Sequence, residues 1–287
     1  MIKIAIASGK GGTGKTFVAT NIFYSLIRNN VDAVLTDCDA EAPNDAAFFE
    51  TVPACSLDVS QPVPVIDLDK CTFCGRCYEY CNYNAIFILP QQKVIKVFDE
   101  LCHGCGACSV ACGYGAIAEK PVNLGTVTTF SVNGQSTLIE ARTSIGTMSP
   151  VAVIKAAIRQ TGEKARVAIL DAPPGTSCPF IQTVAPSDYV ILVTEPTPFG
   201  LSDLKQSVST LRTTGKPFGV VINRSGLGNN DVHVWLKESN IPLLMEIPFE
   251  EETARVYSTG NLLAAMNVKY MDAFFNLAVR IMQTVNS

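Results

Sequence analysis

Apolar runs alternate with helical patterns at both ends of the 287-residue chain. Near-continuous apolar stretches predict strands at 2–7, 31–37, 166–171, 187–194, 217–223 and 241–248. Polar and apolar residues repeating with a helical period predict helices at 15–29, 151–161 and 201–214. Strands of this kind, separated by helices, predict an α/β fold with a mostly parallel, doubly wound sheet covered on both faces.

The middle of the chain follows a different pattern. After Phe49, prolines at 53, 62 and 64 lie in a region of weak periodicity, which indicates an exit from the first domain. Alternating residues at 126–132 and 135–141 flank Asn133-Gly134 and predict a hairpin within about 126–141. We therefore expect an α/β domain in two parts, 1–55 and 122–287, with a small α+β domain inserted at 56–121.

Charge and the lengths of the apolar runs disfavour binding to nucleic acid or to a membrane. The net charge is −4, and without any run of Lys or Arg the chain offers no electrostatic footprint for nucleic acid. The first residues lack the parts of a signal peptide, no stretch reaches 18 uninterrupted apolar residues, and the amphipathic segment 270–287 carries a single Arg. We expect a cytoplasmic protein that binds neither nucleic acid nor membrane.

Eight of the eleven cysteines belong to a repeat. The chain reads CTFCGRCYEYCNYNAI from residue 71 and CHGCGACSVACGYGAI from residue 102. Because the cytoplasm keeps thiols reduced, cysteines there more often bind metals than form disulfides. The spacing C-x2-C-x2-C-x3-C, present twice, resembles that of bacterial two-cluster ferredoxins, in which the fourth Cys of each run ligates the other cluster. The resemblance implies two [4Fe–4S] clusters, one on Cys71, Cys74, Cys77 and Cys112 and the other on Cys102, Cys105, Cys108 and Cys81.

The repeat departs from the ferredoxin pattern after each fourth cysteine. The usual proline is replaced by Asn82 and Gly113, which removes no ligand. Zinc is the alternative, but zinc favours separated C-x2-C pairs over four close thiolates repeated in tandem. His103, inside the second run, could tune a cluster by hydrogen bonding or be an ordinary loop residue.

A glycine-rich stretch follows the first predicted strand and precedes the first predicted helix. It fits G-x-x-x-x-G-K-[ST], in which main-chain N–H groups curl around phosphates, the lysine approaches the β- and γ-phosphates, and the hydroxyl binds Mg²⁺. Its residues are Gly9, Lys10, Gly11, Gly12, Thr13, Gly14, Lys15 and Thr16. The motif predicts binding of ATP with Mg²⁺.

The second lysine of this loop, Lys10, makes the sequence similar to the deviant Walker ATPases, the superfamily of MinD, ParA, Mrp and the nitrogenase iron protein. In that family the matching lysine reaches the partner subunit's nucleotide, so the resemblance implies an ATP-sandwiched homodimer. Residues 37–44 resemble switch I, which implies that Asp37 lies near the metal and that Asp39 positions the attacking water. RVAILDAPPG resembles Walker B and switch II, which implies that Asp171 lies near Mg²⁺ and that Gly175 senses the γ-phosphate.

Three further residues are matched less specifically. Asn223 and Arg224, after a predicted strand, resemble the family's adenine-contacting pair. Cys178 lies seven residues past Asp171, where the nitrogenase iron protein has a cluster ligand at a similar distance. A buried and inert thiol is nevertheless the preferred reading of Cys178, and the same reading is preferred for Cys38 and Cys55.

Together these patterns predict an ATPase that couples nucleotide-dependent dimer switching to electron transfer through two clusters. An unidentified redox partner protein would receive or supply the electrons. The alternative is an ATP-dependent iron–sulfur carrier of the Mrp type, although the C-terminal C-x-x-C of such carriers has no counterpart after Cys178. A positioning ATPase acting on membrane or DNA is disfavoured by the absence of a basic helix or patch.

Overall fold

The structure, a computed structural model, describes residues 1–134, 136–162 and 165–287. Its strands are β1 (Ile2–Ala7), β2 (Ala33–Asp37), β3 (Thr51–Ile66), β4 (Ile86–Leu89), β5 (Val94–Val97), β6 (Ile117–Val132), β7 (Ser136–Thr143), β8 (Val167–Asp171), β9 (Tyr189–Thr194), β10 (Phe218–Ser225) and β11 (Leu243–Pro248). Its α-helices are α1 (Lys15–Arg28), α2 (Arg76–Glu79), α3 (Ala107–Ala111), α4 (Val151–Gln160), α5 (Cys178–Val184), α6 (Pro198–Thr214), α7 (Asp231–Glu238), α8 (Glu251–Ser258), α9 (Leu263–Met266) and α10 (Val268–Asn286). Short 3-10 helices cover Asp45–Phe48, Pro90–Gln92 and Asp99–Leu101.

The main sheet has nine strands in the order β11-β10-β9-β1-β8-β2-β7-β6-β3. Every pairing of neighbouring strands from β11 to β7 is parallel. The strands β1, β2, β8 and β9 are almost wholly buried, which explains why their sequences are continuously apolar. The predicted α/β fold with a mostly parallel sheet is confirmed.

The register of β2 against β8 pairs Asp37 with Asp171. Both residues end their strands, and β1 lies on the other side of β8 with Ile6 opposite Asp171. The carboxyl ends of parallel strands are where ligands bind in open α/β sheets. The fold therefore places two acids and the loop after β1 together at the carboxyl ends of the parallel strands.

One layer of helices packs against the sheet through a large apolar core. Ile4 and Ile6 of β1 contribute to this core together with Phe23 of α1 and Phe274 of α10. Phe17 of α1 meets Phe274 edge to face, with ring centroids 6.1 Å apart. α4 packs against β2, and α5 packs against β1.

The strand β3 differs from the sequence analysis, which assigned no strand to the proline-containing segment after Phe49. β3 spans 16 residues and includes Pro53, Pro62 and Pro64. It is the last strand in the sheet order, and at an edge a proline without an N–H group deprives no neighbouring strand of a partner. Weak periodicity follows because both faces of its first half are exposed.

The turn between β6 and β7 carries the residues that a tight hairpin requires. Asn133 and Gly134 have φ angles of 51° and 70°, as the two central residues of a type I′ turn do. Gln135, the first residue of the second predicted strand, lies outside the described residues. β6 begins nine residues earlier than the pattern at 126–132 indicated.

Two compact units can be distinguished within the chain. The first comprises residues 1–57, 127–142 and 151–287, and the second comprises 58–126 and 143–150. The segment 143–150, which we expected within the ATPase domain, is held to residues of the second unit. Ser144 Oγ donates to Asn123 Oδ1 and Thr147 Oγ1 donates to the Leu124 carbonyl, both at 2.9 Å.

The second unit has a very small core. The buried members of its apolar cluster are Ile86 and the two cysteines Cys77 and Cys108, and Val63, Ala85 and Ala116 are also buried. β4 and β5 pair antiparallel beside α2 and α3. A unit of this size with so few buried apolar side chains needs another source of stability.

Candidate functional site

The loop between β1 and α1 has the conformation that a phosphate-binding loop requires. Gly12 and Gly14 have φ angles of +78° and +98°, in the left-handed region that side chains disfavour. A Cβ atom on Gly14 would lie 2.3 Å from Nδ2 of Asn223, so only glycine fits there. Lys15 begins α1 and is buried. The loop thus presents main-chain N–H groups and a lysine at a helix N-terminus, where anions bind favourably.

Three carboxylates lie together beyond this loop. Asp37, Asp45 and Asp171 are buried, and each places an oxygen within 4.8 Å of the other two. Thr16 Oγ1 donates a hydrogen bond to Asp171 Oδ2 at 2.7 Å and lies 3.3 Å from Asn44 Oδ1. Carboxylate, hydroxyl and amide oxygens are the ligands that Mg²⁺ prefers, so these residues could hold such an ion.

Burial and mutual repulsion disfavour the ionised forms of these three acids. Burial, followed by the charge of Asp171, raises the pKa of Asp37 well above its ordinary value, although three main-chain N–H groups donate to its carboxylate. Burial and then Asp37 raise the pKa of Asp45 well above its ordinary value. Burial raises the pKa of Asp171 to about 6, against the lowering effect of Lys15. A divalent cation would relieve this repulsion and favour the carboxylates.

Asp45 was missed by the sequence analysis. The turn after β2 places Asp45 close to Asp37, because the N–H groups of Asn44 and Asp45 donate to Asp37 Oδ2 at 2.8 and 3.0 Å. No motif marks an acid at this distance from Asp37, and the only available signal was an aspartate after an asparagine in a predicted switch segment.

Asp39 and Gly175 lie on either side of the phosphate-binding loop. Asp39 lines the same cavity as Lys15 and Thr16, and burial raises its pKa while Lys15 lowers it. Gly175 has a φ angle of +93°, and its N–H donates to the carbonyl of Ser8 at 3.1 Å. The structure therefore brings both predicted switch residues to the loop.

Lys10 is directed to an acid of its own chain. Its Nζ lies 2.6 Å from Glu195 Oε1, and Glu195 Oε2 accepts from Arg224 Nη1 at 2.9 Å. Glu195 follows β9 and was not among the predicted site residues. No motif identifies it, because its contacts join segments about 185 and 29 residues away in sequence.

Asn223 and Arg224 end β10 beside the loop. Asn223 Nδ2 donates to the Thr13 carbonyl at 2.9 Å, and Asn223 Oδ1 accepts from the N–H of Arg224 at 2.9 Å. These bonds occupy one amide hydrogen and one lone pair of Asn223 within the chain. Both residues nevertheless line the adjoining cavity.

That cavity has a volume of about 490 Å³. Part of its lining is the phosphate-binding loop with Lys15, Thr16 and Asp39. Phe17, Pro248, Phe249 and Tyr257 add apolar and aromatic surface, and Arg224 and Glu250 add charges. Cationic, polar and aromatic groups in one cavity suit a nucleotide, whose phosphates and base need these environments.

Each half of the cysteine repeat contributes to two separate cavities of the second unit. One cavity is lined by Cys71, Cys74, Cys77 and Cys112, and the other by Cys102, Cys105, Cys108 and Cys81. The fourth cysteine of each run thus joins the three first cysteines of the other run. Burial raises the pKa of the Cys77, Cys102 and Cys108 thiols.

Equivalent main-chain N–H groups donate to equivalent sulfurs in the two runs. The N–H of Phe73 lies 3.4 Å from Cys71 Sγ, as that of Gly104 does from Cys102 Sγ. The same relation joins Ala85 to Cys81 at 3.3 Å and Ala116 to Cys112 at 3.4 Å. These donors are suited to sulfurs that carry negative charge.

The two cavities differ at positions where the repeat is imperfect. Arg76 is the charged residue lining the first cavity, whereas Glu119 and His103 line the second. His103 stacks on Tyr83, with ring centroids 3.8 Å apart and planes 14° apart. Glu119 Oε1 accepts from Ser109 Oγ at 2.9 Å.

The remaining three cysteines lie outside these cavities. Cys38 is buried, and burial raises its pKa well above the ordinary value. Cys55 and Cys178 are exposed, Cys178 at the first residue of α5. The preferred reading of a buried thiol therefore agrees with the position of Cys38 but is wrong for Cys178 and Cys55.

Solved structures with this fold include cell-division proteins. The chain is similar to the cell division ATPase MinD of Pyrococcus furiosus, with a TM-score of 0.60 and 19% identity over 99% of both chains. It is likewise similar to MinD of Pyrococcus horikoshii OT3 in complex with Mg-ADP, with a TM-score of 0.61 and 18% identity over 98% of this chain and 95% of that one. At these identities the likeness shows the fold.

Sequence relatives cover the whole chain. One uncharacterized protein of Methanocaldococcus jannaschii is 29% identical over 99% of this chain and 98% of its own length. A second from the same organism is 28% identical over 93% of both chains. Within the described residues, no helix is both long and apolar enough to cross a membrane. Residues 4–263 match the CobQ/CobB/MinD/ParA nucleotide binding domain, and the chain therefore belongs to that family.

Proposed function

We propose that this protein hydrolyses ATP as a homodimer and uses its nucleotide state to control electron transfer through two [4Fe–4S] clusters to a redox partner protein. The observation that carries the proposal is the presence, in a chain that also has a nucleotide site, of two cavities lined by four cysteines each. When bound, such clusters exchange single electrons.

The interleaving of the two cysteine runs supports clusters. A two-cluster ferredoxin takes three ligands from one run and the fourth from the other, and both cavities have this composition. The N–H groups directed at four of the sulfurs would stabilise the charge of a cluster. Cys71, Cys74, Cys77 and Cys112 are the proposed ligands of one cluster, and Cys102, Cys105, Cys108 and Cys81 those of the other.

The spacing of the sulfurs disfavours zinc. With Zn–S bonds of about 2.3 Å, the ligands of a tetrahedral zinc lie about 3.8 Å apart. In the described residues, which include all eleven cysteines, no three thiols lie within 4.8 Å of one another. A cubane is larger than a single ion and holds its ligands farther apart.

The core of the second unit also supports bound clusters. Two of the three buried residues in its apolar cluster are the proposed ligands Cys77 and Cys108. Metal binding that is coupled to folding would supply the stability that this core lacks. We retain 56–121 as the proposed inserted domain and 1–55 with 122–287 as the ATPase domain.

Phosphoryl transfer needs cations that hold the phosphates and a group that orients water. We assign binding of the phosphates to the loop residues Gly9–Thr16, with Lys15 as their cation. We assign binding of Mg²⁺ to Thr16, Asp37 and Asp171. Asp39 would orient the attacking water, and Gly175 would respond to the γ-phosphate. Asn223 and Arg224 would border the adenine.

Electron transfer would be coupled to hydrolysis through the chain itself. The segment that carries the cysteines leaves the ATPase domain after Asn44 and returns before Asp171. A movement of either switch on hydrolysis would therefore act on an end of this segment. We place the protein in the cytoplasm, where its thiols would stay reduced, and assign it no nucleic acid or membrane partner.

Anaerobic purification followed by iron, sulfide and zinc analysis tests the proposal. Two clusters predict about eight iron and eight sulfide per chain. The control is the Cys55→Ser variant, which alters an exposed cysteine outside both cavities and should keep full iron content. Bound zinc with little iron would contradict the proposal.

The alternative function, an iron–sulfur carrier, predicts that the protein gives up its iron to another protein. An Mrp-type carrier would pass its clusters to an acceptor apoprotein, whereas an electron-transfer protein would retain its iron while an acceptor is reduced. Incubation with an apoferredoxin, followed by separation and iron analysis of both proteins, distinguishes the two. Sedimentation with liposomes and with DNA tests the positioning function.

A further inference from the structure

Glu195 connects two cations of the nucleotide site through its separate carboxylate oxygens. Oε1 accepts from Lys10 Nζ at 2.6 Å, and Oε2 accepts from Arg224 Nη1 at 2.9 Å. The side chain of Glu195 is 14% exposed, whereas those of Lys10 and Arg224 are 31% and 44% exposed. The carboxylate is thus the more buried partner and lies between the phosphate-binding loop and the end of β10.

The backbone around Glu195 is rigidly held. Its carbonyl accepts from the N–H of Thr197 at 2.8 Å, and a Cβ atom on Gly200 would lie 2.2 Å from the same oxygen. The Pro196 carbonyl would meet a Cβ atom on Gly228 at 2.0 Å, so this segment is enclosed on both sides. Because the main chain at Glu195 is closely packed while the Lys10 side chain is long and partly exposed, we assign the movement in an exchange of partners to Lys10.

Both cations keep Glu195 ionised. Burial alone would raise its pKa, but Lys10 and Arg224 together hold the pKa below its ordinary value. Asp203 offers a second, weaker attraction, with its Oδ2 4.0 Å from Lys10 Nζ. Lys10 is therefore attracted towards the interior of its own protomer by two acids.

We propose that Glu195 is a positioning residue that retains Lys10 in its own protomer and thereby opposes dimer formation. This inference rests on the proposed ATP-sandwiched dimer, in which Lys10 reaches the partner's nucleotide. The ammonium group of Lys10 has three donors, so the inference requires that the partner's phosphate lies beyond the reach of a Lys10 that is still bonded to Glu195. Transfer of Lys10 from the carboxylate to the phosphate is then a step of dimerisation, and ATP must supply a stronger attraction than Glu195 does.

Arg224 makes this transfer feasible. An ionised carboxylate left without a partner in a mostly buried position is costly. When Lys10 leaves, Glu195 keeps its contact with Arg224, so the remaining charge stays paired. The same carboxylate therefore retains the lysine without preventing its release.

The test is the dimerisation affinity of Glu195→Gln, measured by analytical ultracentrifugation with a non-hydrolysable ATP analogue. The amide keeps the size of the side chain and removes its charge. We expect the dimer dissociation constant to fall about two- to thirtyfold, because the dimer breaks two partly exposed ion pairs that are worth up to about fivefold each. The matched control is Asp203→Asn, which removes a neighbouring charge without a close contact and should change the constant by much less.

Two further variants separate this role from a structural one. Glu195→Asp keeps the charge and should return the dimerisation affinity towards the wild-type value. Lys10→Ala should not dimerise with ATP, and adding Glu195→Gln should not restore dimerisation, because Glu195 acts through Lys10. Thermal unfolding of each variant verifies that the fold is retained.

Three results would overturn the inference. Weaker or unchanged dimerisation of Glu195→Gln beside a normal wild-type dimer contradicts the retention of Lys10 and leaves the proposed function intact. ATP-dependent dimerisation of the Lys10→Ala, Glu195→Gln double variant contradicts the mechanism in the same way. A wild-type chain that forms no dimer at any concentration of the ATP analogue contradicts both the inference and the proposed dimer.

Discussion

A hydrogen bond from Asn223 to Thr13 connects the end of β10 to the phosphate-binding loop. Its Nδ2 donates to the Thr13 carbonyl at 2.9 Å, and the bond is buried. The close approach of the same amide to Gly14 leaves no room for a side chain at that position. The conformation of the loop thus depends on a residue 210 positions away in sequence.

Asn223→Ala should therefore weaken nucleotide binding through the loop. An unpaired buried carbonyl at Thr13 costs about 1–3 kcal/mol, part of which would be lost from the binding free energy. Calorimetric titration with ATP and with inorganic tripolyphosphate measures the loss. Equal losses for both ligands support a role in the loop, whereas a loss confined to ATP would show that Asn223 serves the base instead.

A control for this experiment is Asn230→Ala. Asn230 precedes α7, is exposed and makes no capping hydrogen bond through its side chain. It should bind both ligands as the wild type does. Unchanged binding in Asn223→Ala would show that the loop keeps its conformation without this bond.

Replacement of each of the two lysines of the loop should have a different effect. Lys15 is buried at the start of α1 and lines the nucleotide cavity, whereas Lys10 is directed to Glu195. Lys15→Ala should abolish nucleotide binding. Lys10→Ala should retain binding and lose hydrolysis and ATP-dependent dimerisation. Nucleotide titration, phosphate release and ultracentrifugation of both variants check this, and normal turnover in Lys10→Ala would contradict a role across the dimer.

Sequence alone predicted the features that depend on short segments. The loop residues Gly9–Thr16 and the two cysteine runs are local patterns, in which spacing determines the chemistry. Asp45 and Glu195 could not be predicted, because they reach the site through a turn and a strand end that no motif describes. β3 was missed because edge strands tolerate prolines and exposed faces, which erase the alternation that marks a strand.

Cys81 and Cys112 provide a test of how the ligands are divided. Cys81 is close in sequence to Cys71, Cys74 and Cys77, but it lines the cavity of Cys102, Cys105 and Cys108. We expect Cys81→Ser and Cys105→Ser to perturb the same cluster, and Cys112→Ser and Cys74→Ser the other. Electron paramagnetic resonance of the reduced variants, with iron falling towards about four per chain, measures this. Pairing of Cys81→Ser with Cys74→Ser would contradict the interleaved sets.

The charge difference between the cavities should separate the two reduction potentials. Reduction adds negative charge, which Arg76 of the first cavity would favour and Glu119 of the second would oppose. Arg76→Gln should lower the higher potential, and Glu119→Gln should raise the lower one. Redox titration at fixed pH measures both steps, with Glu79→Gln as a control because Glu79 lines neither cavity. A Glu119→Gln variant that moves only the higher step would reverse the assignment.

The last prediction concerns coupling between the nucleotide and the clusters. Asp39→Ala should trap the ATP-bound dimer, because Lys15 and Mg²⁺ would still hold a γ-phosphate that no carboxylate helps to hydrolyse. If the switches act on the cysteine segment, this trapped state should change the clusters' potentials or their rate of oxidation by a defined acceptor. Thermodynamic linkage makes the effect on binding reciprocal, so reduction of the clusters should change ATP affinity by about 1–3 kcal/mol, the ordinary range of allosteric coupling.

Anaerobic ATP titration of oxidised and dithionite-reduced protein measures one side of this linkage, and redox titration of Asp39→Ala with and without ATP measures the other. The control is Lys15→Ala, which should bind no nucleotide and whose potentials should therefore not respond to ATP. A response in Lys15→Ala would indicate an effect of ATP outside the nucleotide site. Equal affinities in both redox states, with potentials and oxidation rates that ignore ATP, would mean that the clusters are not controlled by the ATPase, because a coupling free energy cannot act in one direction only.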